Sequence, residues 1–361
     1  MGPVTDRRPE LPVVDLGRRS GLGAASAMQQ AAEQLDAALR DVGAFELVGH
    51  GIPADLFRRT MDASRELFAL DRKAKEALRS PSGNPFHGYT TREVGDPPVL
   101  IREIYESGRF DSPEDVLAAG YGPEHSELVE PNVWPRRPRR FRVAMTTYHA
   151  VMEELGDRLM SVAATALGLR PDWFVDRFDR QASYLACVNY PPQFATARER
   201  MPRMGPHADF GTLSIFAFDE APGRMQVHVG GTPEERAALA ADVMASIADP
   251  DDDTVDGPDP ELPGTWVEAS GSDDRLLVCA GEMLARWTDD RWSAALHRVA
   301  SPTERDPALS RTALAYYQYP NLDTEIAALP TCLPPGATPR QPPVLAGVLA
   351  HERKNHRHPW F

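Results

Sequence analysis

Apolar residues recur at helical spacing in the first half of the chain and in short alternating runs in the second. Residues 11–16 (LPVVDL) read as an opening strand. Ala32, Leu35, Leu39 and Val42 share one face of a helix expected over 25–42. Ala44 to Val48 alternates like a strand and stops at Gly49-His50-Gly51. Pro53 opens a second helix with Phe57, Met61, Ser64 and Phe68 on one face, and a third helical stretch covers about 138–169. After Trp173 the period changes. Short β segments are predicted at 184–190, 212–218, 225–229, 275–279 and 312–319, punctuated by Gly and Pro. Helices first and short strands later predict an α+β protein whose β part is a sandwich or barrel. Residues 1–361 read as one domain: a mainly helical part at 1–173, a β core at 174–330 and a tail at 331–361.

One segment breaks the pattern. Residues 231–262 begin with a plausible helix (233–247) and continue as DPDDDTVDGPDPEL, too acidic and proline-rich for a core strand. Ten acidic residues there face a single arginine, Arg236, so this insertion holds most of the net charge of −14. The chain is 361 residues long, 42% hydrophobic and 25% charged, which fits a folded globular protein. The acidic excess argues against a nucleic-acid partner, since neutralising phosphates needs a basic surface. The one basic run, Arg136 to Arg140, reads as a solvated helix start. Cys187, Cys279 and Cys332 are too far apart, and odd in number, for a disulfide framework. No signal core precedes Glu10 and no apolar run approaches the ~18 residues of a membrane span, so no membrane partner and a cytoplasmic setting are expected. A monomer or weak oligomer is expected too.

The sharpest chemical signal is His207-Ala208-Asp209, with His297 placed 88 residues after Asp209. Residues i and i+2 of an extended segment share a face, so His207 and Asp209 can reach one ion together. A distant histidine completes a 2-His-1-carboxylate set, which leaves coordination positions open and suits non-haem Fe(II) that activates dioxygen. Arg311 begins the strand-like Arg311 to Tyr317, fourteen residues after His297. A buried guanidinium there is suited to gripping a carboxylate.

In this order the motifs resemble the isopenicillin-N-synthase-like family of Fe(II)/2-oxoglutarate-dependent dioxygenases. The resemblance rests on LPVVDL, GAFELVGHGIP (43–53), Gly88-Tyr89, NVWP (132–135), NYPP (189–192), HADFGTLSIF (207–216), RMQV (224–227), CAGEML (279–284), HRV (297–299) and RTALAYY (311–317). It implies a double-stranded β-helix (jelly-roll) core with N-terminal helices packed around it. It implies that His207, Asp209 and His297 are the catalytic iron ligands, and that Arg311 with Tyr190 binds 2-oxoglutarate. Dioxygen is the oxidant, with ascorbate a further possible reductant. The implied reaction is hydroxylation, desaturation or ring closure at an unactivated C–H bond of a small specialised metabolite. Because Asp209 is a carboxylate, the site resembles hydroxylating rather than halogenating relatives, which carry a small residue there.

The chain departs from the family pattern in three places. Ala313 stands where the family usually has a serine beside the anchoring arginine, which removes a hydroxyl from the co-substrate site. The spacing from Asp209 to His297 is long by about the length of the 231–262 insertion, and the turn from His297 to Arg311 is slightly long as well. Two other readings stay open: a 2-oxoglutarate-independent Fe(II) oxidase, and a jelly roll that binds its ligand without turnover. Arg102 and Tyr105 fall where relatives often place substrate contacts. The acidic insertion, if it borders the pocket, favours a neutral or cationic substrate. His50 and His228 read as structural, and His351, His356 and His358 as part of a solvated tail.

Overall fold

The computed structural model describes residues 10–17, 23–84, 86–94, 98–192, 203–218, 225–247, 262–270, 272, 274–300 and 310–355. The acidic stretch 248–261, the long turn at 301–309, Arg224 of the RMQV motif, and His356 and His358 lie outside the described residues. The strands are β1 (Val13–Asp15), β2 (Ala44–Val48), β3 (Gly88–Val94), β4 (Val99–Gly108), β5 (Tyr184–Tyr190), β6 (Met204–His207) and β7 (Leu213–Phe218). They continue as β8 (Met225–Val229), β9 (Thr265–Glu268), β10 (Leu276–Ala280), β11 (His297–Val299), β12 (Arg311–Gln318), β13 (Glu325–Ile326) and β14 (Val344–Leu345). The α-helices are α1 (Ala24–Asp41), α2 (Ala54–Phe68), α3 (Arg72–Glu76), α4 (Pro113–Ala118), α5 (Arg139–Ala166), α6 (Val175–Phe178), α7 (Pro233–Ile247), α8 (Glu282–Trp287) and α9 (Ala346–Asn355).

The helix periodicity translates directly into burial. Phe57, Met61, Ser64 and Phe68 of α2 are all buried, as are Ala32, Leu35 and Leu39 of α1. Helices α1 and α2 both pack on α5, and α2 and α5 reach the back of β5 and β12.

Eight strands form one sheet in the order β1-β2-β10-β7-β12-β5-β4-β3, and four form a second in the order β6-β11-β8-β9. The molecule is therefore mixed α+β. Residues 1–173 supply four strands of the large sheet: β1 and β2, as the sequence predicts, and β3 and β4, which it does not. The β3–β4 hairpin escapes periodicity because β4 is buried on both faces and carries charged residues on each. The two sheets face one another, with the Phe216 ring of β7 5.5 Å from the His297 ring of β11. One continuous cluster of buried side chains runs through helices and sheets alike.

Candidate active site

Opposed residues of an antiparallel ladder share a face, and the register sorts the inner face of the large sheet into rows. The first row pairs Tyr190 with Arg311, and Arg102 joins it one residue before the Glu103–Asn189 pair. The second runs Ile104–Val188–Ala313–Phe218, the third Glu106–Ala186–Ala315–Phe216, and the fourth Gly108–Tyr184–Tyr317–Ser214. The middle of this face is paved with alanines and closed by a glycine at one end, which leaves volume in front of it.

The small sheet looks onto that volume with its chemistry. His207 ends β6 and pairs with His297 of β11, their ring centroids 4.3 Å apart. Asp209 sits in the loop that follows, held by close backbone contacts. A Cβ on Gly281 would lie 2.3 Å from the Gly211 carbonyl oxygen, and one on Gly211 would lie 2.6 Å from that of Gln318. The Glu282 N–H also donates to the Asp209 carbonyl at 2.8 Å. These packings explain why HADFG and CAGEM occur together. Only glycine lets the two loops lie in contact.

His207 Nε2 lies 3.8 Å from Asp209 Oδ1, and His297 Nε2 lies 3.6 Å from Asp209 Oδ2. Nδ1 of each ring faces a carbonyl oxygen two residues earlier, that of Gly205 at 2.9 Å and that of Ala295 at 3.0 Å. A carbonyl only accepts, so Nδ1 carries the proton and Nε2 presents its lone pair toward the carboxylate. All three side chains are buried, and one ligand atom from each lies within 4.8 Å of the others. Asp209 Oδ2 has no hydrogen-bond partner among the described residues. Two imidazole nitrogens and a buried carboxylate oxygen left without a donor are the donor set that non-haem Fe(II) takes.

The anchor row lies toward the other end of the same face. The Arg311 guanidinium is buried, 4.8 Å from the Phe218 ring and 5.8 Å from the Tyr190 ring. Arg203, also buried, approaches Tyr190 from a third side at 5.6 Å. Burial pushes the Arg102 guanidinium below its ordinary range. Tyr184 meets the Tyr317 ring at 4.9 Å in a tilted contact and stacks on Tyr319 at 5.7 Å, and burial raises all three phenols. A pocket of about 50 Å³ opens at this tyrosine end, lined in part by Gly108, Tyr184, Phe210, Tyr319 and Ala350 of α9.

The structure brings His207, Asp209, His297, Arg311, Tyr190 and Arg102 to one interior, and Tyr105 is the exception. It lies on the opposite face of β4, edge-on to Phe141 at 5.0 Å, with its hydroxyl donating to the Val133 carbonyl at 2.8 Å. Alternation along β4 excludes it from the face that holds Arg102. The residue that takes its place is Glu106, four positions after Arg102, which counting by two along the strand would have found. His50 and His228 are structural: His50 Nδ1 accepts from the Ile52 N–H at 3.1 Å, and His228 Nε2 meets the Pro263 carbonyl at 2.7 Å. His351 is exposed beside Glu127. The insertion helix α7 reaches the loop that carries Asp209, where Ala208 N–H donates to Met244 Sδ at 3.4 Å.

Proteins similar to this chain point to one chemistry. A family model described as the N-terminal region of non-haem dioxygenases in morphine synthesis matches residues 11–137. Validamycin A dioxygenase of Streptomyces hygroscopicus subsp. limoneus is 28% identical over 327 residues, covering 88% of this chain and 78% of that one. The 2-oxoglutarate-Fe(II) type oxidoreductase hxnY of Emericella nidulans is 26% identical over 318 residues, covering 84% and 77%. Over most of its length the chain is thus similar to Fe(II)/2-oxoglutarate-dependent dioxygenases. Homoarginine-6-hydroxylase of Arabidopsis thaliana is 23% identical, covering 89% of this chain and 88% of that one. The fold of this chain matches the crystal structure of a full-length Neurospora crassa protein in complex with alpha-KG, with a TM-score of 0.74, 21% identity and 96% of each chain covered. No described helix is long and apolar enough to cross a membrane.

Proposed function

We propose that this chain is a dioxygenase that oxidises an unactivated C–H bond of a small specialised metabolite, with His207, Asp209 and His297 holding the iron. The observation that carries the assignment is the buried Asp209 carboxylate, flanked by two imidazoles whose Nε2 atoms face it. Arg311 and Tyr190 are the groups suited to the far carboxylate of 2-oxoglutarate, and Arg102 in the same row is a substrate contact. When bound, the ion supplies one-electron chemistry and open positions for co-substrate and dioxygen. The chain's own part is to position and to keep water out. Nδ1 hydrogen bonds fix both imidazole tautomers, Arg311 compensates a carboxylate charge, and Val188, Ala313, Ala315 and Phe216 wall the space between with apolar surface.

The two facing sheets support reading the core as a double-stranded β-helix, and the continuous buried cluster supports one domain over 1–361. The relatives named for validamycin A and homoarginine support a small-molecule substrate. Contact of α7 with Ala208 supports an insertion that borders the site, where Glu234 lines a cleft of about 770 Å³ together with Ala208 and Phe210. The test is anaerobic titration of the purified protein with Fe(II) and 2-oxoglutarate. A visible chelate band is expected for the wild type, lost in His297→Ala, and succinate release is expected once air and substrate are supplied. A band undiminished in both His207→Ala and His297→Ala would overturn the ligand assignment.

A further inference from the structure

Glu106 is 3% exposed on the inner face of β4, yet no hydrogen bond or ion pair reaches its carboxylate among the described residues. Buried carboxylates are normally paired, because an uncompensated charge in a low-dielectric interior is costly. Arg102, on the same face, lies beyond ion-pair distance and acts on Glu106 only through its field. The strand register gives Glu106 a small opposite neighbour, Ala186, with Ala315 one strand further on. Neither neighbour along this row carries a side chain longer than a methyl group. One row along stand Tyr184 and Tyr317, with Tyr319 stacked beside them, and the charge of Glu106 is felt at all three phenols. The same three rings feel Asp209. All three phenols thus lie within electrostatic reach of both the unpaired carboxylate and the proposed iron site.

A carboxyl group that ionises on binding, set among aromatic rings and alanines, is chemistry complementary to an organic cation. We propose that Glu106, with Tyr184, Tyr317 and Tyr319, is the specificity site of this enzyme, and that it binds a protonated amine or guanidine of the substrate. The inference rests on the active-site reading above and adds the substrate class to it. Three strand spacings, about 14 Å along the sheet, separate Glu106 from Phe216 beneath His297. The cationic centre therefore lies several bonds from the carbon that reacts. Burial holds the free Glu106 carboxyl up at about 8, against the opposing pull of Arg102. Near pH 7 the empty site is thus mainly protonated and neutral. Binding a cation releases that proton, while Arg102, Tyr184, Tyr317 and Tyr319 keep their charge states, so the site accepts a cation without storing a bare charge beforehand.

The experiment is isothermal titration of the full-length chain, loaded anaerobically with Fe(II) and 2-oxoglutarate, with hexylammonium, 1-hexanol and hexanoate. Hexylammonium is expected to bind tightest and to release up to one proton at pH 7, read from the dependence of heat on buffer ionisation enthalpy. Glu106→Gln should weaken hexylammonium at least tenfold and abolish the proton release, with 1-hexanol little changed. Glu106→Asp, which keeps the charge but shortens the reach, should fall between them. Equal affinity for hexylammonium in wild type and Glu106→Gln would overturn the proposal, as would a wild-type preference for 1-hexanol or hexanoate. The Fe(II) and 2-oxoglutarate chelate band, recorded on the same samples, separates the two failures. Its absence in the wild type counts against the iron-site reading, and its presence without cation preference counts against Glu106.

Discussion

Glu103 and Glu106 stand three residues apart on one strand and are equally buried at 3% exposure, but they point to opposite faces and live differently. Glu103 looks toward the helices, where Lys75 Nζ donates to it at 2.6 Å, the Tyr89 hydroxyl at 2.7 Å and Asn189 Nδ2 at 2.8 Å. Glu106 looks into the space between the sheets and receives no donor among the described residues. A carboxylate supplied with three donors is part of the scaffold, tying α3, β3 and β5 to β4. A carboxylate buried without donors is a standing free-energy cost, and it is tolerated where a ligand completes it. The two faces of β4 therefore divide structure from function.

The largest effect expected from breaking this contrast is on the helix side. Glu103→Gln leaves the Lys75 ammonium buried without its counter-charge, which costs about 3 kcal/mol. Urea unfolding should show a lower midpoint at unchanged slope, and Lys75→Met in the same background should recover part of the loss. A midpoint unchanged by Glu103→Gln would remove the scaffold role.

On the other face the same substitution should act with the opposite sign. The Glu106 carboxyl moves from 4.5 in the ordinary case to about 8 when folded. A raised folded value means that the folded state holds a proton the unfolded state has lost between those limits. Wild-type stability therefore falls as pH rises from about 4.5 to about 8. Glu106→Gln has no proton to lose and removes that slope. The gain is expected to be small at pH 5 and to grow to about 2 kcal/mol by pH 8, after the unpaired amide offsets part of the benefit. Thermal unfolding of the ligand-free protein at several pH values checks it. Glu106→Gln less stable than wild type at pH 8 would show that the carboxylate is satisfied after all.

Much of this division was written in the sequence, but not in its hydrophobic pattern. The convergence of His207, Asp209 and His297 was legible from the order of the surrounding motifs and the family they resemble, since H-x-D alone is a weak signal. Helices α1, α2, α5 and α7 were legible because each buries one stripe against the β core or a neighbour. Strand β4 was not, since a strand covered on both sides and carrying Arg102, Glu103 and Glu106 shows neither alternation nor a plain apolar run. Arg102 and Tyr105 are three positions apart, an odd step that a strand sends to opposite faces, so the two cannot both face one pocket. Tertiary packing also supplied what composition had hidden. The acidic count suggested an attraction for cations through the insertion, whereas one unpaired carboxylate on β4 makes that preference local.

A smaller effect is expected at the co-substrate end of the same inner face. Ala313 shares that face with Arg311 and lies opposite Val188 and Phe218, so a hydroxyl placed there would point where a carboxylate bound by Arg311 would sit. One hydrogen bond to a charged group is worth about 1.5 kcal/mol. Ala313→Ser should accordingly lower KM for 2-oxoglutarate about tenfold, with little change in kcat, in a succinate-release assay. An unchanged KM would show that Arg311 and its buried neighbours already satisfy the co-substrate.

The least perturbing test returns to Tyr105. Its hydroxyl donates to the Val133 carbonyl and its ring packs against Trp134 and Phe141, on the Glu103 side of β4. Tyr105→Phe keeps the ring and deletes one neutral hydrogen bond, a loss of about 1 kcal/mol in unfolding free energy. Because the side chain points away from the space between the sheets, KM for substrate and for 2-oxoglutarate should stay at the wild-type values. Arg102→Met, three positions earlier and on the inner face, should raise the substrate KM instead. If Tyr105→Phe raised the substrate KM as Arg102→Met does, β4 would reach substrate with both faces, and the separation of scaffold from site along this strand would fail.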